Sequence, residues 1–292
     1  MGMMRKIVTI PGPGGVVRGV CALAAALMLA QCDRVEPGSA TKAPAAAPTP
    51  PTQDPVVVIG PPPPRAALTR ADLLAAASAA ASAYAAGQPQ TGESLVGRGF
   101  SVRIAFGCTG PTVSEEAGAP DGLARWSWSR DGRAARLLMT PADWTGSPLA
   151  AAAGSEAPWE AVEGFWAPRP WMMSEDCPRA GGEPSSSGGT AASPQTVALA
   201  AVYEKGGSRI GRRSGRAYAF TRRFETGQTP SAPEDGYRLR LEGRLAAFPG
   251  GRAVRCQADN PDQRPVCVVA VVLDRVSYEE ATGTLLSEWR PG

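Results

Sequence analysis

The stretch ARWSWSRDGRAARLLM, residues 124–139, constrains the fold more than any other part of the chain. Its apolar side chains recur at every second position, the period of a strand with one face buried. A two-residue type I′ turn at Asp131-Gly132 sets Trp128 opposite Ala135, Trp126 opposite Leu137 and Ala124 opposite Met139. Those six side chains share one face. Arg125, Ser127, Ser129, Ala134 and Arg136 take the other, joined by Leu138. A slip of one residue would exchange the two faces, so this register is self-consistent.

Other segments read the same way. Phe100, Val102, Ile104 and Phe106 alternate with polar neighbours apart from Ala105. GYRLRLEGRLAAFPGGRAVRC predicts a second hairpin turning at Gly250-Gly251, with Ala247 against Val254 and Leu245 against Cys256. CVVAVVL, 267–273, is apolar on both faces, as in a central strand covered on each side. Strands are also expected at 197–204 and 216–224, and Thr282-Gly283 turns the chain into LLSEW. Ahead of all these, Thr69 and Asp72 form a capping-box pattern before LLAAASAAASAYAA, a helix that should stop at Gly87. Few of its side chains are large, so it should pack by close backbone approach. The expected fold is therefore mainly β, an antiparallel sandwich or open barrel with one N-terminal Ala-rich helix. The loops at 146–158 and 178–195 are of low complexity.

The first 66 residues have a different character. Arg5, Lys6 and Arg18 precede the apolar run VCALAAALMLA, which is of signal-peptide length and too short for a permanent membrane span. Leu29-Ala30-Gln31-Cys32 resembles the lipobox of bacterial lipoproteins, with Gln31 where that pattern has a small residue. The resemblance implies a signal peptide over 1–31 and an acylated Cys32. The protein would then be held on the bacterial envelope facing the periplasm, the alternative being plain secretion there. Asp33, beside the acylation site, is a retention mark in some bacteria only. Residues 35–66 contain ten prolines and cannot build a core. In an extended polyproline form, at about 3.1 Å per residue, this linker would reach on the order of 100 Å. Within it, VVVI at 56–59 is a weak candidate for pairing with a sheet edge. The folded domain is expected over 67–292.

Cysteine parity fits export. Cys21 leaves with the signal and Cys32 carries lipid, which leaves Cys108, Cys177, Cys256 and Cys267 for two disulfides. Three connectivities are open, and Cys256–Cys267 with Cys108–Cys177 is favoured. The short bridge would staple consecutive strands, and the long one would hold a Pro-rich loop. Removing residues 1–31 leaves 27 basic and 27 acidic side chains, so attraction to nucleic acid is not expected.

The chain contains no histidine. This excludes Ser-His-Asp and Cys-His nucleophile arrangements and any histidine-ligated zinc or haem. P-loop, GxGxxG and GxSxG patterns are absent as well, and no cofactor or metal is expected. The one SxxK match, Ser39 to Lys42, lies in the linker without a scaffold. Six of the seven tryptophans fall between 126 and 171, and EGFWAPRPWMMSEDC at 163–177 is the most unusual local sequence. Trp166, Arg169 and Trp171 are its candidate ligand contacts, since indole faces stack on sugar rings and apolar groups. Glu163, Glu175 and Asp176 are the candidate acid and base of an alternative, a histidine-independent glycan hydrolase. The run from Lys205 to Arg223 is rich in arginine and free of acids, which suits an anionic lipid or wall polymer, or pairing with acids elsewhere. The expected activity is non-catalytic binding of an envelope glycan, lipid or protein.

Overall fold

The computed structural model describes residues 65–89, 93–113, 118–151, 159–178, 195–225 and 231–290. The expected signal segment, Cys32, the expected linker with VVVI, and most of the two low-complexity loops lie outside the described residues. No described helix is long and apolar enough to cross a membrane.

Helix α1 spans Arg70–Ala85 and starts where its sequence signal places it. The Thr69 side chain accepts from the Asp72 backbone, and Asp72 accepts from the Thr69 backbone at 2.8 Å. The reciprocal bonds satisfy amides that the first turn leaves open. Gly87 ends the helix at φ 64. As expected from its small side chains, α1 buries Ala77 and Ala80 with Leu73 in the main core.

Eleven strands follow: β1 (Gly99–Phe106), β2 (Ala124–Trp128), β3 (Ala134–Met139), β4 (Ala142–Asp143), β5 (Trp159–Trp166), β6 (Val197–Glu204), β7 (Tyr218–Arg223), β8 (Tyr237–Leu245), β9 (Val254–Gln257), β10 (Val266–Glu280) and β11 (Leu285–Trp289). An eight-stranded sheet runs β1-β8-β10-β6-β5-β4, with β9 and β11 also paired to β10, and β2-β3-β7 form a second sheet. This is a two-sheet sandwich, and the described strands form no closed barrel. Among the described strands the pairings are antiparallel except β6 with β10, which is parallel, and an isolated parallel bridge joins Leu68 to Phe100. The β2–β3 register is the expected one, Trp126 against Leu137 and Trp128 against Ala135. The turn is not: Asp131 keeps a negative φ and only Gly132 is left-handed, at φ 67. A type I′ turn needs both central residues at positive φ. The Asp131 carboxylate instead accepts from the Arg133 amide and the Ser129 hydroxyl, giving a looser connection with the same register.

The second expected hairpin does not form. β8 and β9 lie one after the other along β10, with Leu245 opposite Val271 and Val254 opposite Val269, so neither pairs with the other. The 246–253 turn steps the chain along a common partner. Cys256 sits directly across from Cys267 on β10 and is bonded to it, with 4.0 Å between the Cα atoms. Cys108 and Cys177 form the other disulfide.

β10 organises two cores, because it is apolar on both faces. Val269, Val271 and Tyr278 pack with Trp126, Leu137, Ile104 and Leu239 between the sheets. Val268 and Ala270 pack on the other side with Trp144, Val162 and Phe248. Further along, the outward face turns to charge. Glu279 is 2% exposed, flanked by Arg103 at 2.9 Å and Arg240 at 3.2 Å, and Arg275 bridges Glu242 and Glu288. The arginine and glutamate alternation along β8 is thus paired across strands.

Candidate functional site

One edge of β10 is shared by two strands that do not meet. β6 pairs with residues 267–271 and β11 with residues 276–279. Residues 272–275 lie between them with no strand partner on that edge among the described strands. A bulge against β8 falls at the same place, between Leu273 and Arg275. The gap opens into a cleft of about 920 Å³. Ligand crevices form readily where neighbouring strands diverge in this way.

The long connection from β6 to β7 makes the second wall, because it must cross from one sheet to the other. Its position is fixed by Glu163 of β5, whose side chain is buried, 5% exposed. Glu163 Oε1 accepts from the backbone amides of Arg213 at 2.7 Å and Ser214 at 2.8 Å, and the Tyr203 hydroxyl donates to Oε2 at 3.4 Å. Ser214 is left-handed, φ 51, which is how two successive amides converge on one oxygen. Burial raises the Glu163 pKa, and these hydrogen bonds oppose that rise without cancelling it. Burial, followed by the Glu163 charge, pushes the Tyr203 and Tyr218 phenols far above their ordinary value, so both stay protonated.

The cleft surface combines aromatic, aliphatic, cationic and acidic groups. Of its carboxylates, Asp274 pairs with Arg244, Glu288 with Arg275 and Arg290, and Glu204 lies at the β6 end. Tyr203, Tyr218 and Trp289 line the cleft, together with the exposed side chains of Ile210 and Val272. Trp289 packs edge-on against Tyr218 at 5.3 Å. The Arg213 guanidinium lies 4.6 Å over the Tyr218 ring and donates to the carbonyls of Arg216 and Ala217. Arg216 Nε donates to the Arg213 carbonyl at 3.1 Å. Neither arginine has a carboxylate ion-pair partner among the described residues. Arg209 and Arg212 both pair with Glu160, and Arg222 pairs with Glu280. The arginine run is thus divided: some members hold the wall in place and others face the cleft with uncompensated charge.

The residues singled out in 163–177 are dispersed. Trp166 belongs to the second core, edge-on to Trp144 at 5.0 Å. Arg169 lines a smaller pocket, and Trp171 is 56% exposed in a groove beside α1. The three carboxylates engage unrelated partners. Glu163 holds the wall, Glu175 accepts from the Arg103 amide at 3.4 Å, and Asp176 pairs with Arg238 at 3.1 Å. Trp126 is core, as the hairpin register implies, and Trp128 packs partly against it. Sequence reasoning did not find Tyr203, Tyr218, Val272 or Trp289. Only the arginine run pointed near them, because the cleft depends on where β6 and β11 share β10. Among the described residues no cluster of acidic and cysteine side chains has metal-binding geometry. No protein-family model, curated protein or solved structure matches this chain.

Proposed function

We propose that the chain is a non-catalytic binding protein of the bacterial envelope, anchored through Cys32 and facing the periplasm, with its ligand in the cleft between β6 and β11. The cleft is the observation that carries this reading. Arg213 and Arg216 supply charge without carboxylate partners, while Ile210, Val272 and Trp289 supply apolar contact. A site of that composition suits an anionic molecule with a ring or chain, such as an acidic envelope glycan or an anionic lipid. The lipobox-like LAQC and the proline-rich tract support a domain held away from a membrane surface.

Native mass spectrometry of the processed protein, extracted gently from the envelope of its own bacterium, tests the proposal. A retained mass is expected that disappears in an Ile210→Asp/Arg216→Glu variant, since both side chains are at the surface and their replacement leaves the cores intact. A retained mass unchanged in that variant, or a bare chain in both, contradicts the proposal.

A further inference from the structure

A second pocket, of about 220 Å³, opens where the start of α1, the end of β1 and the loop at 168–176 come together. Its lining holds three arginines, Arg70, Arg125 and Arg169, and one carboxylate, Asp176. Two of these charges are already balanced: Arg125 pairs with Asp121, and Asp176 pairs with Arg238. Arg70 and Arg169 have no ion-pair partner among the described residues.

Arg70 is the more telling of the two. It is 4% exposed, yet its bonds all go to neutral main-chain carbonyls, those of Pro168 at 3.0 Å, Met172 at 3.1 Å and Arg169 at 3.3 Å. Burial works against its charged form, and only the field of Glu175, which does not bond to it, works in favour. A buried guanidinium without a bonded anion is costly. Arg169 stands beside it in the left-handed region, φ 54, a conformation unfavourable for a long side chain. Thr109 and Ser174 add hydroxyls to the lining, and Gln195 adds an amide whose Oε1 is buried without a partner. Rotating that amide presents its NH₂ instead.

We propose that this pocket binds a phosphate group, free or as a monoester. Two uncompensated guanidiniums match the charge of a dianion, whereas a carboxylate would neutralise only one. Their planar donor forks fit phosphate oxygens. The site is independent of the β6–β11 cleft, so either proposal can fail alone.

The test is thermal unfolding and equilibrium dialysis of the full processed protein with sodium phosphate, against sodium chloride of equal ionic strength. A parallel arm uses a Cys32→Ser protein, which has no acyl anchor of its own, and measures its retention on vesicles of phosphatidic acid in phosphatidylcholine, against phosphatidylcholine alone. Phosphate should raise the unfolding temperature and bind saturably if the group is taken up free. Vesicle retention without a response to inorganic phosphate would mean that the group is a lipid headgroup. In Arg169→Gly, which also relieves the backbone conformation, binding should weaken about tenfold or more. Thr109→Glu, at an exposed position, should abolish it by placing a carboxylate at the rim. No response in either arm overturns the proposal, as does binding that persists in both variants.

Discussion

Glu163 is the side chain on which the cleft wall depends, and its ionisation has a predictable cost. Its folded pKa is raised by burial. The folded chain therefore holds the proton more tightly than the unfolded one. The stability that Glu163 contributes is greatest below the ordinary glutamate value of 4.5 and falls as pH rises from there through the folded pKa. Denaturant unfolding at a series of pH values should show the natural protein losing stability relative to Glu163→Gln as pH rises through that window. Identical slopes in both proteins would sink the assignment. Gly164, the next residue, is a packing position. A Cβ there would sit 2.4 Å from the Trp144 ring, so Gly164→Ala should cost about 1–3 kcal/mol through a lowered denaturant midpoint at constant slope.

At the scale of elements, β10 carries the architecture, and its pairing with β9 is reinforced covalently. Replacing Cys256 and Cys267 together by alanine should cost about 2–3 kcal/mol, as loop-closure entropy for a short bridge implies. A smaller midpoint shift would mean that β9 is held by its strand contacts alone. The local elements were legible in the sequence. Thr69 and Asp72 marked the start of α1, and the turn position at Asp131-Gly132 with the alternation of Trp126 and Trp128 fixed the β2–β3 register. The Cys256–Cys267 bridge also joined β9 to β10 correctly, but the pairing of β8 with β10 in place of β9 was not legible. Alternation in Leu245 and Val254 shows which side of a strand is apolar, but not which neighbour it adjoins. Both strands could satisfy their backbone bonds on the long β10 as well as on each other. The cleft was hidden for the same reason. It arises from β6 and β11 ending short of one another, and no single segment encodes that gap.

At the scale of the whole molecule, the charge on the large sheet is organised by ion pairs across its strands. Arg103, Arg240 and Arg275 interlock with Glu242, Glu279 and Glu288 on the outer face of the large sheet. Arg70, Arg169, Arg213 and Arg216 take no part in that network. The proposed delivery to the envelope is a separate property that rests on residues before 66. Cys32→Ser should move the protein from the membrane to the soluble fraction of a cell lysate, whereas equal membrane association would argue against acylation. The central claim is that the gap on the β10 edge receives a ligand. Amide hydrogen exchange can be compared between protein carrying its co-purified ligand and protein stripped of it. The account predicts slower exchange in the liganded form, concentrated in residues 207–216 and 272–275. Unchanged exchange there, or protection confined to other segments, would contradict it.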